Sequence, residues 1–393
     1  MSLIGQEVTV VGAGVAGLAV ARALALRGAS VTVLEQADAI REVGAGLQIS
    51  PNGAAVLRAL GLQGALDAAS LRGQAVELID GPSGEGVVRL DLARLRPGQG
   101  YHFLHRADLI SLLLHAATEA GVTLRLLSRI EAVDLAGAKP AVLLEGGQRL
   151  EASLLIGADG LHSRMRTALN GAETPFFTGQ VAWRAVIAAE PGAQPVAEVH
   201  MGPGRHLVSY PLRGGTLRNI VAVEERSRWA EESWTLRDDP MDLRLAFAGF
   251  SPRVRGWLDR VEDPWLWGLF RHPVADRWTK GLSDGAVAIL GDAAHPTLPF
   301  LAQGASMALE DAWVLADSLA RHDSVAAALA AYQAARKPRT TRIVAAADAN
   351  ARAYHLSGLP RLVGHTGLRL LGRMSPGTML SRFDWLYGHD VTV

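Results

Sequence analysis

The residues best equipped for chemistry cluster in GDAAHPTLPFLAQGASMALED, residues 291–311. An apolar run at 286–290 reads as a buried strand leading in, and residues 303–322 read as a helix leading out. The loop between them carries Asp292 and His295, is bent by Pro296 and Pro299, and is released at Gly304 into the helix. That arrangement brings unpaired N–H groups and the positive end of a helix dipole, at Gln303 and Gly304, to one point. Such a point suits a delocalised anion, either a reduced isoalloxazine ring with charge over N1 and the C2 carbonyl or a phosphate.

A second constellation lies at the amino end. A short β-branched strand at residues 7–11 runs into GAGVAG (12–17), a helix to about 27, and a second strand at 30–34 that stops at Glu35. Each residue has a physical task there. Gly12 allows the tight turn, Gly14 lets backbone approach a pyrophosphate, and Gly17 lets helix and strand pack closely. Glu35 stands where a carboxylate accepts from a ribose hydroxyl. This fingerprint fits NAD or FAD alike.

Composition sets the frame for these sites. At 393 residues the chain is long enough for two domains or one large one with an insertion, its 49% hydrophobic content is ample for a full core, and Lys+Arg and Asp+Glu each number 39. With no net field and no basic block, a nucleic-acid partner is not expected. The absence of cysteine removes thiolate metal sites, disulfides and a cysteine nucleophile. His102 and His105 lack a metal-like partner set, so no metal site is expected. There is no leader pattern and no apolar run near the ~18 residues of a spanning helix, so a soluble, cytoplasmic chain without a membrane partner is expected.

The elements that must hold the two constellations follow in order. Residues 41–46 form a glycine-containing loop with Arg41, followed by Gln48. A helix at 51–60 has Pro at its first position, and 74–92 reads as a hairpin. A helix at 107–120 is preceded by Arg106, which opposes the dipole and so implies a partner: a phosphate, a ribityl edge or a salt bridge. Short strands fill 122–155, then the turn GADG (157–160) and a helix at 161–169. From about Thr174 the chain becomes β-rich, and all nine tryptophans fall at Trp183 or later. Strands are expected at 181–187, 197–201, 206–212 and 217–223, a helix at 242–260, and an extended run at 264–269. A long alanine-rich helix from 324 should be kinked or divided by Pro338. The tail, 358–388, should pack back on the core.

Three stretches in this order, GAGVAG, GADGLHSRMR from Gly157 and GDAAHPTLPFLAQGASMALEDA from Gly291, resemble the single-component flavoprotein aromatic hydroxylases. This is the p-hydroxybenzoate hydroxylase family, and the likeness is to its salicylate hydroxylase-like branch. YHFLHRADLISLL, FTGQVAWRAVI and HLVSYPL are similar to that branch as well. The resemblance implies an α/β fold, with a Rossmann-like FAD-binding domain (1–73, 98–173 and 272–345) interleaved with a β-rich substrate domain (74–97 and 174–271) and C-terminal helices (346–393). It implies FAD as cofactor and NADH or NADPH as reductant. The cofactor set is then Gly12, Gly14, Gly17, Glu35, Arg41, Arg106, Asp159, Gly160, Asp292, Gln303 and Gly304.

The implied chemistry is hydroxylation of a phenolic or heteroaromatic acid through a C4a-hydroperoxyflavin, with O2 as co-substrate and no metal. A partner must draw the proton from a substrate phenol. His206 and Tyr210, four residues apart on one strand, point to the same face and are expected as that wall. Arg184 is expected to anchor a carboxylate or else to bridge to Glu198 or another acid. Gln48 and Pro296 complete the substrate set. A flavoprotein of the same fold acting as epoxidase, oxidase or redox sensor is the alternative, and a monomer or homodimer is expected.

Overall fold

The computed structural model describes residues 3–40, 45–226 and 236–393. Arg41 lies outside the described residues. Two large sheets organise the chain. The first has six strands in the order Thr279–Gly281, Ala286–Ile289, Leu154–Gly157, Glu7–Val11, Ser30–Leu34, Thr123–Arg125. Its strands run parallel except for the antiparallel edge strand Thr279–Gly281. Such strands are covered on both faces and need continuous apolar runs, which AVAI and LLIG supply. The helices Val15–Ala25, Arg106–Glu119 and Gly304–Arg321 pack together over this sheet and bury Leu18, Leu113 and Leu309 completely or nearly so.

The second sheet has seven strands in the order Trp265–Arg271, Phe176–Ala188, Leu217–Glu225, Arg205–Leu212, Val196–Gly202, Ala75–Asp80, Gly86–Asp91. Neighbours are antiparallel except Val196–Gly202 with Ala75–Asp80. Residues 75–91 therefore join a sheet otherwise built from 176–271. The chain leaves the first layer twice and returns twice.

Two local expectations change, and a third is narrowed. Residues 242–260 form two helices, Pro240–Ala246 and Pro252–Leu258, because Ser251 and Pro252 restart the chain. The helix after GADG begins at Arg164, where the Ser163 hydroxyl accepts from the Arg166 N–H at 2.8 Å. The helix Val325–Tyr354 is not divided but runs through Pro338. Arg336 and Arg339 on either side of the proline both pair with the helix Gly304–Arg321, to Asp311 at 2.7 Å and Glu310 at 2.8 Å, and hold both halves on one partner. The tail packs back as expected. The helix Gly358–Met374 lies on the strand Gly86–Asp91, so close that a Cβ at Gly372 would come within 2.6 Å of Val88 Cγ2.

Candidate active site

Both anion-binding points of the sequence open on one cleft. At Gly12, φ is +98° and a Cβ would meet the Ala158 carbonyl at 2.4 Å. A Cβ on Gly17 would meet the Gly12 carbonyl at 1.9 Å, whereas around Gly14 there is open space. Two glycines thus serve packing and the third clears an approach to the backbone. The helix Val15–Ala25 begins at Gly14 with no side-chain cap, so its first N–H groups face that space. The Glu35 carboxylate accepts from the N–H of Ala13 at 2.8 Å and of Ala37 at 3.0 Å, which fixes it at the strand end with lone pairs to spare.

On the other side, the strand Ala286–Ile289 leads into a single turn, Gly291–Ala293, that brings Asp292 to the cleft. Gly291 is at φ +62° and so close to the first helix that its Cβ would stand 2.9 Å from Ala16 Cβ. The loop ends at Ala302, a non-glycine residue at φ +52°, immediately before Gln303 and Gly304 start the helix Gly304–Arg321 without a side-chain cap. Backbone strain of this kind costs ~1–3 kcal/mol and persists where the surroundings impose it. Beneath the loop, Asp311 accepts from His295 Nε2 at 2.5 Å and from the Gly291 N–H at 3.1 Å. Burial would push this carboxyl up, but His295 and Arg336 beside it outweigh burial and hold it at about 2. His295 therefore anchors the loop from below.

The wall opposite is the second sheet. His206 and Tyr210 both line the cleft from the strand Arg205–Leu212, as their spacing requires. Burial, with the neighbouring His355, drives the His206 imidazole well below its ordinary value, so the ring is neutral at physiological pH. Burial pushes the Tyr210 phenol up. Arg184, from the strand Phe176–Ala188, lays its guanidinium 3.7 Å from the centre of the Trp267 ring. Among the described residues its buried Nε has no hydrogen-bond partner, and burial lowers the group to about 9. It does not bridge to Glu198, which pairs with Arg253 at 2.8 Å and His200 at 3.2 Å. Gln48, Pro296, Arg106 and Gly160 line the same cleft.

The side chains of two cofactor candidates also have partners within the protein. Asp159 spends its carboxylate on the Ser163 hydroxyl at 2.5 Å and the Met165 N–H at 3.1 Å, fixing the start of a helix, while Gly160 beside it faces the cleft. The Gln303 amide donates to Ser50 Oγ at 2.9 Å and accepts from Asn52 at 3.2 Å, leaving its backbone for the cleft. Sequence reasoning missed Tyr101, whose hydroxyl donates to Gln48 Oε1 at 2.7 Å, and Trp267. It also missed Asn219, which accepts from the Gly46 N–H at 2.8 Å. Asn219 was findable as a polar residue inside the strand run LRNIVAVEE. His355 gives no signal, since it merely ends an alanine-rich helix.

A cleft with an uncapped helix terminus on either side, and a wall that carries Arg184, His206 and Tyr210, suits a partly anionic cofactor facing a polar substrate. Residues 6–347 match the FAD binding domain family, and the chain belongs to it. It is 34% identical over 393 residues to the 3-amino-4-hydroxybenzoate 2-monooxygenase PtmB3 of Streptomyces platensis, covering 98% of this chain and 96% of that one. It is 35% identical to 3-hydroxybenzoate 6-hydroxylase of Klebsiella oxytoca, covering 96% of each, and 31% identical to salicylate hydroxylase of Pseudomonas putida, covering 99% and 93%. Among solved structures, Klebsiella pneumoniae HpxO with FAD and uric acid superposes with a TM-score of 0.81 at 26% identity, over 96% of this chain and 97% of that one. The protein is an FAD-dependent aromatic monooxygenase, with NAD(P)H as reductant.

The residues present fit FAD. The open space at Gly14 would admit a pyrophosphate, Glu35 at the strand end would meet a ribose, and Asp292 in the cleft would offer an acceptor to a polyol chain.

Proposed function

We propose that this chain hydroxylates a phenolic benzoate, an aromatic ring carrying one carboxylate and one hydroxyl. The observation that carries this reading is the pairing, on one wall, of a guanidinium whose Nε has no partner among the described residues, Arg184, with a neutral imidazole, His206. Arg184 receives the carboxylate, Trp267 holds the guanidinium plane, and His206 takes the phenol proton and so enriches the ring. Tyr210 and Gln48 orient the phenol oxygen, Pro296 and the apolar loop through Leu301 keep water out, and Arg106 meets the cofactor. FAD, when bound and reduced by NAD(P)H, would activate O2 so that one oxygen atom goes to the ring and the other leaves as water. We further infer that residues 1–73, 98–173 and 272–345 act as the FAD-binding unit, 74–97 and 174–271 as the substrate unit and 346–393 as a helical closure, in a cytoplasmic monomer or homodimer.

The test is a panel of hydroxy- and aminobenzoates, with NADH and NADPH loss followed and products identified by mass. At least one should stimulate oxidation and gain one oxygen, and their uncarboxylated phenols should not. In His206→Ala, FAD should stay bound while oxygen transfer slows about a hundredfold or more and NAD(P)H oxidation is diverted to hydrogen peroxide. Stimulation by the phenols alone, or coupled turnover at the wild-type rate in His206→Ala, would refute the assignment.

A further inference from the structure

His206 is the first member of a hydrogen-bonded chain that leads out of the cleft. Its Nδ1 lies 2.7 Å from Nε2 of His355, and Nδ1 of His355 lies 2.8 Å from a carboxylate oxygen of Glu225. The two imidazoles are buried, whereas the Glu225 side chain is 52% exposed. Three elements converge to build this line: the start of the strand Arg205–Leu212, the end of the strand Leu217–Glu225, and the residue that ends the helix Val325–Tyr354. The hairpin turn locks the last of these, since the Gly204 N–H donates to the His355 carbonyl at 3.2 Å and the Glu225 N–H donates to the Gly204 carbonyl at 2.8 Å. The rings of Phe300 and Tyr354, centred 5.6 and 5.2 Å from that of His206, sheath the inner end.

The polarity of the chain follows from its outer end. A carboxylate only accepts, so His355 carries its proton on Nδ1 and presents Nε2 as an acceptor. His206 must then donate from Nδ1, which leaves Nε2 as the free lone pair of its ring. Glu225, through two imidazoles, thus sets the tautomer in which His206 can act as a base. The groups facing this line are Glu225 and Arg205, with Glu224 paired to Arg205 at 3.4 Å. A second polar line also leaves the cleft, from Tyr210 to Gln48, Tyr101 and Tyr387. It is less suited to proton traffic, because an amide stands in its middle and burial raises all three phenols.

We propose that His206, His355 and Glu225 form a proton relay between the substrate phenol and solvent, with His355 and Glu225 as relay residues that never touch the substrate. This rests on the reading of His206 as the base. As the phenol O–H bond breaks, its proton bonds to His206 Nε2, the His206 Nδ1 proton passes to His355 Nε2, and the His355 Nδ1 proton passes to Glu225, which releases it to water. No electrons leave the line and one proton reaches solvent. When the hydroxylated product is reprotonated, the same steps run in reverse and restore both tautomers.

The experiment uses the full-length FAD-loaded enzyme. Histidine-selective 15N NMR of the resting protein should find both His206 and His355 protonated at Nδ1, and Nε2–H at His206 would overturn the relay. Kinetics then use the hydroxybenzoate turned over in the panel above. Glu225→Gln keeps an acceptor oxygen for His355 but cannot take its proton. It should lower kcat about tenfold and raise peroxide yield, with KM unchanged and thermal unfolding as in wild type. His355→Ala should lose more, and added imidazole should restore part of it. If His206→Ala slows oxygen transfer while Glu225→Gln and His355→Ala turn over at the wild-type rate, the relay fails and the base stands. If His206→Ala is itself unimpaired, the base assignment fails and the relay with it.

Discussion

Arg184 carries a positive charge into a wall whose other polar members are His206 and Tyr210, and the Trp267 face lies against its guanidinium. A cation over an aromatic face gains ~0.5–2 kcal/mol, short of the several kcal/mol that removing an ion from water costs. On the proposed reading, an incoming carboxylate would supply the difference. Arg184→Met should therefore raise KM for the carboxylated substrate about 10- to 150-fold, from the ~1.5–3 kcal/mol of charge-assisted hydrogen bonds, with a smaller change in kcat. An unchanged KM would mean that the carboxylate binds elsewhere. Because burial holds the guanidinium at about 9, the charge that receives the substrate is present at neutral pH and is lost as pH rises through that value. In wild type, kcat/KM should fall above pH about 9, and in Arg184→Met that fall should vanish.

The two packed helices Gly304–Arg321 and Val325–Tyr354 trap Glu310 and Asp311 between Arg336, Arg339 and His295. All but Arg339 are nearly or wholly inaccessible. Removing one partner of such a set leaves an uncompensated buried charge, so Arg336→Met should cost about 3–5 kcal/mol in urea unfolding. A loss below ~1 kcal/mol would show that the network is neutral to stability. Asp311, held at about 2 against an ordinary 3.8, contributes stability that is present above the unfolded value and is lost as pH falls from there through about 2. Legibility in the sequence divides along the same physical line. Periodicity and glycine chemistry mark the first strand, helix and strand, the hairpin at Gly81, and the run from Ala286 into Gly304, because those signals are local. Asp159, Gln303 and His295 carry the right types at the right places, yet their side chains turned out to brace the loops, since only folding decides which buried partner a carboxylate or amide meets. His355 and the pairing of Arg336 with Asp311 depend on contacts across more than a hundred residues or between two helices, and nothing in the local pattern announces them.

The whole molecule is joined by a core in which both layers take part. Ala182, Val223 and Leu269 come from the seven-stranded sheet, Phe300, Leu301 and Met307 from the loop and helix on the cofactor side, and Ile343, Ala347 and Ala351 from the long helix. These residues share one apolar cluster directly behind the cleft, so the sheets should unfold together. FAD bound as proposed would grip residues near Gly14 and Asp292, which belong to the first layer, and through this cluster its binding energy would also be felt in the strands 205–212 and 217–225 of the second. At a hundred times Kd the linkage amounts to ~2.7 kcal/mol, which for a chain of this size raises the unfolding midpoint by about 3 °C. Calorimetry should give one transition that moves upward with FAD, and hydrogen exchange should slow in strands 7–11, 30–34, 205–212 and 217–225 by similar factors. Two separate transitions, or protection confined to the strands around Gly12 and Gly291, would break the inference that cofactor and substrate walls form one cooperative unit.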